Sequence, residues 1–539
     1  MRLLALLAAL AVVPAAAQPV FSGGAEFQPL PVGARNGVSN LHAEGGRLYA
    51  GPHLVVTDDG ATFDFLAADS AFASSAPGQV SVYSLDVEGD VVWVGLGYID
   101  EFAQDNPQAA AGFAVSTDGG ASWVYRFPQL DAPLDTTVVY GVSTLRALPV
   151  TAPQQSPPFD LDYDPATGAV WVAGFASGLR RSDDQGRTWE RVVLPPDSSD
   201  FIRPDIPYDF VYAPLNQGVQ QNGFVAFSVL VDEAGTVWAG TAAGLARSDS
   251  ADVDAATGDR AWRRYHFDDT ALSLPSDFVV SIEEQEVGDP AFPVGSPENP
   301  RNPVWIAAWP ADSGGDFGLT VWRGDDADGD PVFETVLLPG TQVYDTAFDG
   351  PRVYVAGNDG LYVSDDAGAT WHTVSTFRDA AGAVLPLGPT GVFAVAVTDA
   401  GTPESVLWAG TSAGLLKSTD GGQTWTVFRV NVPPAGDPDF ADEVPEVEAY
   451  AYPNPFTPGA DGYCRIRFDA AGDVGTARVR VFDFGMRLVR TLEAPARGGA
   501  NEALWDGLSE DGARVANGVY LYVVEAGGAE ATGKILVLE

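Results

Sequence analysis

Short apolar runs rich in Val, Trp and Tyr alternate with Gly, Asp and Pro along most of the chain, the pattern of an all-β protein. One stretch shows the unit whole: residues 392–398, 406–410, 415–418 and 424–430 read as four strands separated by turns. Corresponding first strands fall near residues 38–43, 80–87, 224–231, 278–286 and 343–348, while 138–148 and 159–163 compete for that place in the third unit. The aromatic that opens the second strand recurs at Tyr49, Trp93, Trp171, Trp238, Trp305, Tyr354 and Trp408. Such repetition marks a radial or stacked array, here a seven-bladed β-propeller over residues 18–430.

A loop between the third and fourth strands repeats more strictly still, as Ser116–Trp123, Ser182–Trp189, Ser364–Trp371 and Ser418–Trp425, with a weaker copy at Val56–Phe63 and two stretched copies at 248–262 and 323–333. Its chemistry is that of a self-tied turn. An aspartate accepts backbone N–H groups, a glycine takes positive φ, a hydroxyl closes the loop, and the tryptophan covers apolar surface. The pattern Ser-x-Asp-x-Gly-x-Thr-Trp resembles the Asp-box, or BNR repeat, of sialidases, sortilin-type receptors, photosystem assembly factors and some glycoside hydrolases. The resemblance implies that Asp58, Asp118, Trp123, Asp184, Trp189, Asp366, Trp371, Asp420 and Trp425 are structural and lie away from any ligand.

Arg2, the apolar run 3–13 and Ala15–Ala17 read as an export signal removed before Gln18. No later apolar run reaches the roughly 18 residues that span a bilayer. Residues 431–446, with four prolines, five acids and no base, read as an extended linker. Beyond it, strands near 464–468, 477–482, 488–492, 502–505, 518–525 and 532–538 suffice for a small immunoglobulin-like β-sandwich over 447–539, with Phe456, Ile466, Phe468, Val479, Val481, Leu504, Trp505, Val519, Leu521 and Ile535 as its core. The segments YPNPF (452–456), VFDFGMRLVRTL (481–492), WDG (505–507) and ANGVYLYVVEAGG (516–528) resemble the FlgD-type Ig-like and type A sorting domains that end proteins exported by the type IX secretion system. That resemblance implies the type IX machinery as a partner and a secreted or cell-surface destination.

A formal charge of −44, with 73 acidic against 29 basic side chains, opposes nucleic acid and anionic lipid, since phosphate affinity depends on Lys and Arg displacing counterions. The single cysteine, Cys464, alternates with Ile466 and Phe468 and reads as a buried strand position. No cofactor motif is present. The four histidines lack metal-ligand spacing. The run Asp326, Asp328 and Asp330 is a calcium candidate, against which stands Pro331 where an EF-hand register requires glycine. A Gly-x-Ser-x-Gly match around Ser412 is explained by the repeat, whose equivalent turn carries Ala242.

Long connections at 96–112, 129–158 and 195–223 place Tyr98, Asp100, Phe102, Tyr140, Phe201, Arg203, Asp205, Tyr208, Asp209 and Tyr212 on one face as a candidate surface for a glycan or protein ligand. Aromatics interleaved with acids suit a sugar or peptide surface, the other reading being simple surface elaboration, and the expected role is a binding module without catalysis. The alternative is a glycoside hydrolase of the Asp-box kind, which requires two carboxylates facing one groove.

Overall fold

In a computed structural model, the described residues are 27–30, 37–430 and 449–538, apart from 53, 66–79, 101, 105, 217–218, 269–272, 288–301, 312–314, 326–330, 335, 381, 383, 386, 388–390, 453, 459–462, 471–473 and 497–498. The signal segment 1–17, the linker 431–446 and the calcium candidates Asp326, Asp328 and Asp330 fall outside the described residues.

Among the described residues, seven sheets are each built on four consecutive antiparallel strands. Their first strands are Asn40–Glu44, Ser81–Glu88, Pro158–Asp164, Ala226–Val231, Phe278–Glu284, Val343–Asp349 and Val392–Thr398. Each packs beside the first strand of the next sheet, and the seventh packs beside the first, which closes a β-propeller ring. Three second strands, Ala169–Gly174, Val237–Thr241 and Val304–Trp309, are buried at every residue, and the other four at all but their end residues, because a sheet in this ring is covered on both faces. In the third sheet Pro158–Asp164 holds the inner place. Residues 137–147 instead form a separate hairpin, Thr137–Tyr140 against Ser143–Ala147, which Val211–Tyr212 joins in parallel.

The seam between the last and first sheets is tied repeatedly. Phe27–Leu30 pairs in parallel with Thr426–Val430 as a fifth strand of the seventh sheet. The Val38 N–H donates to Thr411 O at 2.9 Å, Asp399 N–H to Gly45 O at 2.7 Å, and Lys417 Nζ to Gly60 O at 2.7 Å. A Cβ at Gly410 would stand 2.6 Å from Val38 O, so the close approach of the two sheets requires glycine there.

The C-terminal sandwich packs the sheet Ala449–Tyr452, Cys464–Ala470, Gly499–Trp505 against the sheet Gly475–Phe482, Leu488–Ala496, Gly518–Ala526, Ala529–Val537. Phe456, Cys464, Ile466, Phe468, Val479, Val481, Trp505, Tyr522 and Ile535 form its core. Three expected core residues are corrected. Leu504 and Leu521 are only half-buried, and Val519 is 37% exposed. Strand alternation sends Ala503 and Trp505, and likewise Tyr520, Tyr522 and Val524, inward, so their chain neighbours face out.

Candidate functional site

The first strands of a propeller diverge and share no backbone ladder, which leaves inner-edge N–H groups in need of other acceptors. In this chain carboxylates fill the role. The seven first strands carry ten acidic side chains, one histidine, and no lysine or arginine. Asp86 accepts from Tyr163 N–H at 2.7 Å, and Asp162 from Val231 N–H at 3.0 Å. Asp160 accepts from Leu161 and Val229 N–H groups, both at 2.9 Å. Asp345 repeats that pairing three sheets later, with Thr346 at 2.8 Å and Val395 at 2.9 Å.

The repetition of geometry has a backbone cause. In six of the seven sheets the ladder between first and second strands skips one residue, between Val82 and Ser84, Pro158 and Asp160, Ala226 and Ser228, Val279 and Ser281, Val343 and Asp345, and Val392 and Ala394. The skipped residues are bulges, which re-aim the side chains beside them. Tyr83, Phe159, Val280, Tyr344 and Phe393 consequently line one level of the channel, and Ser84, Asp160, Ser281 and Asp345 the next. With Asn40 and Glu283 these levels line a half-open recess of about 160 Å³.

Burial dominates the electrostatics. It pushes the Asp160 and Asp345 carboxyls up to about 7, against the pull of their N–H donors. Glu283 is raised well above the usual range by burial and then by Asp345, Asp160, Asp162 and Asp86. Asp162 is raised in the same way by burial and by Asp86, and Asp86 by burial despite His42. At the channel's other end the half-buried Glu284 also rises to about 7, chiefly through burial. The ring brings like charges together on partly exposed inner strands.

The ten residues proposed on the long connections do not make one ligand surface. Tyr98, Asp100, Tyr140 and Tyr212 are buried. Asp100 accepts from Gln154 Nε2 at 2.6 Å, Tyr140 donates to Arg260 O at 2.9 Å, and Tyr212 donates to Val192 O at 3.0 Å. Tyr208 accepts the Arg203 N–H at 3.0 Å and lies 6.2 Å from the Tyr140 ring. Tyr140 and Tyr212 belong to a core shared by the third and fourth sheets, with Tyr208 packed against it. Long loops bury their own aromatics to stay ordered, and these aromatics are consumed that way. Phe102, Phe201, Arg203, Asp205 and Asp209 remain exposed, with Arg203 paired to Asp205 at 2.7 Å and the Arg263 guanidinium 5.4 Å from the Phe201 ring.

Beneath this region lies a buried ionic knot. The Asp131 carboxylate accepts both Arg180 Nη1, at 2.8 Å, and Arg191 Nη2, at 2.8 Å, with all three side chains at most 5% exposed.

The repeated turns are tied from within. In each of four, the aspartate accepts the N–H and hydroxyl of a Ser or Thr four residues on, as Asp118 from Ser122, Asp184 from Thr188, Asp366 from Thr370 and Asp420 from Thr424. The preceding serine accepts a glycine N–H and donates to the aspartate. The tryptophans reach back to the preceding sheet: Trp189 lies 4.9 Å from Phe113, and Trp371 6.5 Å from Trp305. Trp123 packs against the cluster that holds Tyr49 and Val92, and Trp425 is 5.3 Å from Phe377.

The first, weaker copy requires a correction. Its turn is one residue shorter, so Asp59 accepts from Ala61 N–H, Thr62 N–H and Thr62 Oγ1, each at 2.8 Å, while Asp58 turns away to pair with Arg47.

In the C-terminal sandwich, the turn after Gly475–Phe482 is closed by Met486 N–H on Asp483 O at 2.9 Å and by Asp483 N–H on Arg487 O at 3.0 Å. Residues 456–530 match the FlgD Ig-like domain. No curated protein sequence matches the chain. Among solved structures it is similar to PorZ, an essential bacterial surface component of the type-IX secretion system of Porphyromonas gingivalis, at 16% identity over 95% of this chain and 61% of that one, with a TM-score of 0.43. It is similar also to the GH74 enzyme of Niastella koreensis, at 12% identity over 95% and 75%, TM-score 0.45, and to YCF48 bound to D1 peptide, at 14% identity over 74% and 96%, TM-score 0.39. The chain spans about three-fifths of the length of PorZ. The FlgD Ig-like domain presents Phe484, 82% exposed, and Met486, 61% exposed, on the closed turn, where Met486 holds a φ of 61°.

Proposed function

We propose that this chain is an exported surface protein whose propeller binds a glycan or protein ligand without hydrolysing it, and whose FlgD Ig-like domain is its address for the type IX secretion machinery. The observation that carries the non-catalytic reading is the use of the channel acids. Asp86, Asp160, Asp162 and Asp345 each accept a neighbouring strand's N–H, which occupies carboxylates that a hydrolase would need free to act as acid and base. The self-tied turns support an architectural role for Asp118, Asp184, Asp366 and Asp420, and Asp59 takes the place proposed for Asp58.

Incubation with a panel of polysaccharides, scored for reducing ends and for retention of the protein, tests the first half. Retention without new ends supports a binding module, and new ends that vanish in a carboxylate variant would establish a hydrolase. For the second half, the full chain and a form ending at residue 446 are expressed in a host carrying the type IX system. Export of the full chain alone is expected, and equal export of both refutes the address.

A further inference from the structure

Three sheets carry a cation at one equivalent place. Arg181, Arg247 and Lys417 stand opposite Trp171, Trp238 and Trp408 on the third strands of the third, fourth and seventh sheets. Each lies over its indole, at 5.3, 4.9 and 5.4 Å from the ring centroid. In the two arginine copies the aspartate two residues on closes an ion pair, Asp183 at 2.7 Å and Asp249 at 2.9 Å. The seventh sheet breaks the pattern, because Thr419 stands where those aspartates do. Half-buried Lys417 donates one hydrogen to Gly60 O at 2.7 Å and has no ion pair among the described residues. An ammonium has three hydrogens, so two are left over. Asp59 acts on Lys417 only through space, since its oxygens are taken by the first turn.

Room is present where the aspartate is missing. Lys417 and Thr419 line a half-open recess of about 430 Å³ at the seam between the seventh and first sheets, together with Gly60, Thr426, Trp425 and Phe428. That volume falls within the range of small-ligand sites, roughly 300–1,000 Å³. Among the described residues the Thr419 and Thr426 hydroxyls have no hydrogen-bond partner. Burial draws the Lys417 pKa down, a penalty that a carboxylate beside it would offset. We propose that this recess binds a small organic carboxylate of the size of a single sugar acid. The carboxylate takes the place of the missing aspartate against Lys417 and Thr419, and the body of the ligand lies against Trp425 and Phe428. The site is at the ring seam, apart from the channel and the long connections, and stands independently of the function proposed above.

The full chain is titrated with D-glucuronate, N-acetyl-L-phenylalanine and D-glucose in low-salt buffer by calorimetry. The two acids represent a sugar and an amino-acid source of the same carboxylate. Saturable heat with at least one of them, and none with glucose, is expected. Thr419→Asp restores the ion pair of the arginine copies, at a place where Asp183 beside Asp184 shows that the turn accepts it. It is expected to weaken the binding at least about tenfold, as when one charge-assisted hydrogen bond is blocked, while the variant melts no lower than the parent. Lys417→Met, which also cuts the tie to Gly60 O, is expected to abolish binding and to melt lower. Binding undiminished in Thr419→Asp overturns the proposal. Glucose bound as tightly as glucuronate, or no saturable heat with either acid, overturns it equally.

Discussion

The Asp160 carboxylate accepts the backbone N–H of Val229 at 2.9 Å and thereby ties the third sheet to the fourth where no strand ladder joins them. Replacing Asp160 by Ala leaves that N–H without an acceptor, a loss of about 1–3 kcal/mol. Asp160→Asn keeps an oxygen in place and removes a charge from a crowded ring. The asparagine variant is expected to be clearly the more stable of the two in urea denaturation at pH 8. Equal stability would mean that the hydrogen bond contributes nothing.

The knot of Asp131 with Arg180 and Arg191 anchors the long connection before the third sheet. Asp131→Ala strands two buried guanidinium groups, and a loss of about 3–5 kcal/mol is expected from denaturant melts. A loss under about 1 kcal/mol would show that water reaches the arginines and that the connection is loosely held.

Two opposed titrations shape the response to pH. The channel carboxyls Asp160 and Asp345, pushed up to about 7 by burial, bind protons more tightly folded than unfolded, where such groups titrate near 4. Their contribution is complete below about pH 4 and disappears as pH rises through about 7. The turn aspartates run the other way. Burial alone would raise Asp184, but Thr188 and Ser182 outweigh it and hold the group at about 2, so its contribution is present above about pH 4 and lost as pH falls towards 2. Thermal midpoints in low-salt buffer should therefore be highest near pH 4 and fall on both sides. A flat profile from pH 5 to 8 would contradict the shared burial of the ring.

Adjacent aspartates in the first turn separate two roles. Asp58→Ala removes an exposed pair with Arg47 and should change stability by less than about 1 kcal/mol. Asp59→Ala releases two backbone N–H groups and a hydroxyl at once and should lower the melting midpoint visibly. The reverse order would return the turn role to Asp58.

These residues also show how far the sequence could be read. Strand repeats, the four strict turns and the tail were legible because each depends on neighbours in the chain, such as Asp420 and Thr424. The third unit was ambiguous, since 138–148 and 159–163 are both apolar and alternating, and only packing beside Ser81–Glu88 distinguishes them. Asp58 was chosen over Asp59 because nothing local signals a turn shortened by one residue. The channel ring was missed altogether. Asp160, Glu283 and Asp345 belong to strands more than sixty residues apart, and in a chain so rich in acids none stands out singly. Aligning the first strands unit by unit would have revealed the signal: acids at alternate positions beside bulges, with no base among them.

Phe27–Leu30 finds its partner four hundred residues later, at Val427–Val430. Whatever the ribosome has released, the outermost strand of the seventh sheet remains single until nearly the entire ring has been synthesised. Closure thus needs the chain to residue 430, and a chain interrupted before residue 426 lacks the partner of that outermost strand and keeps an open seam.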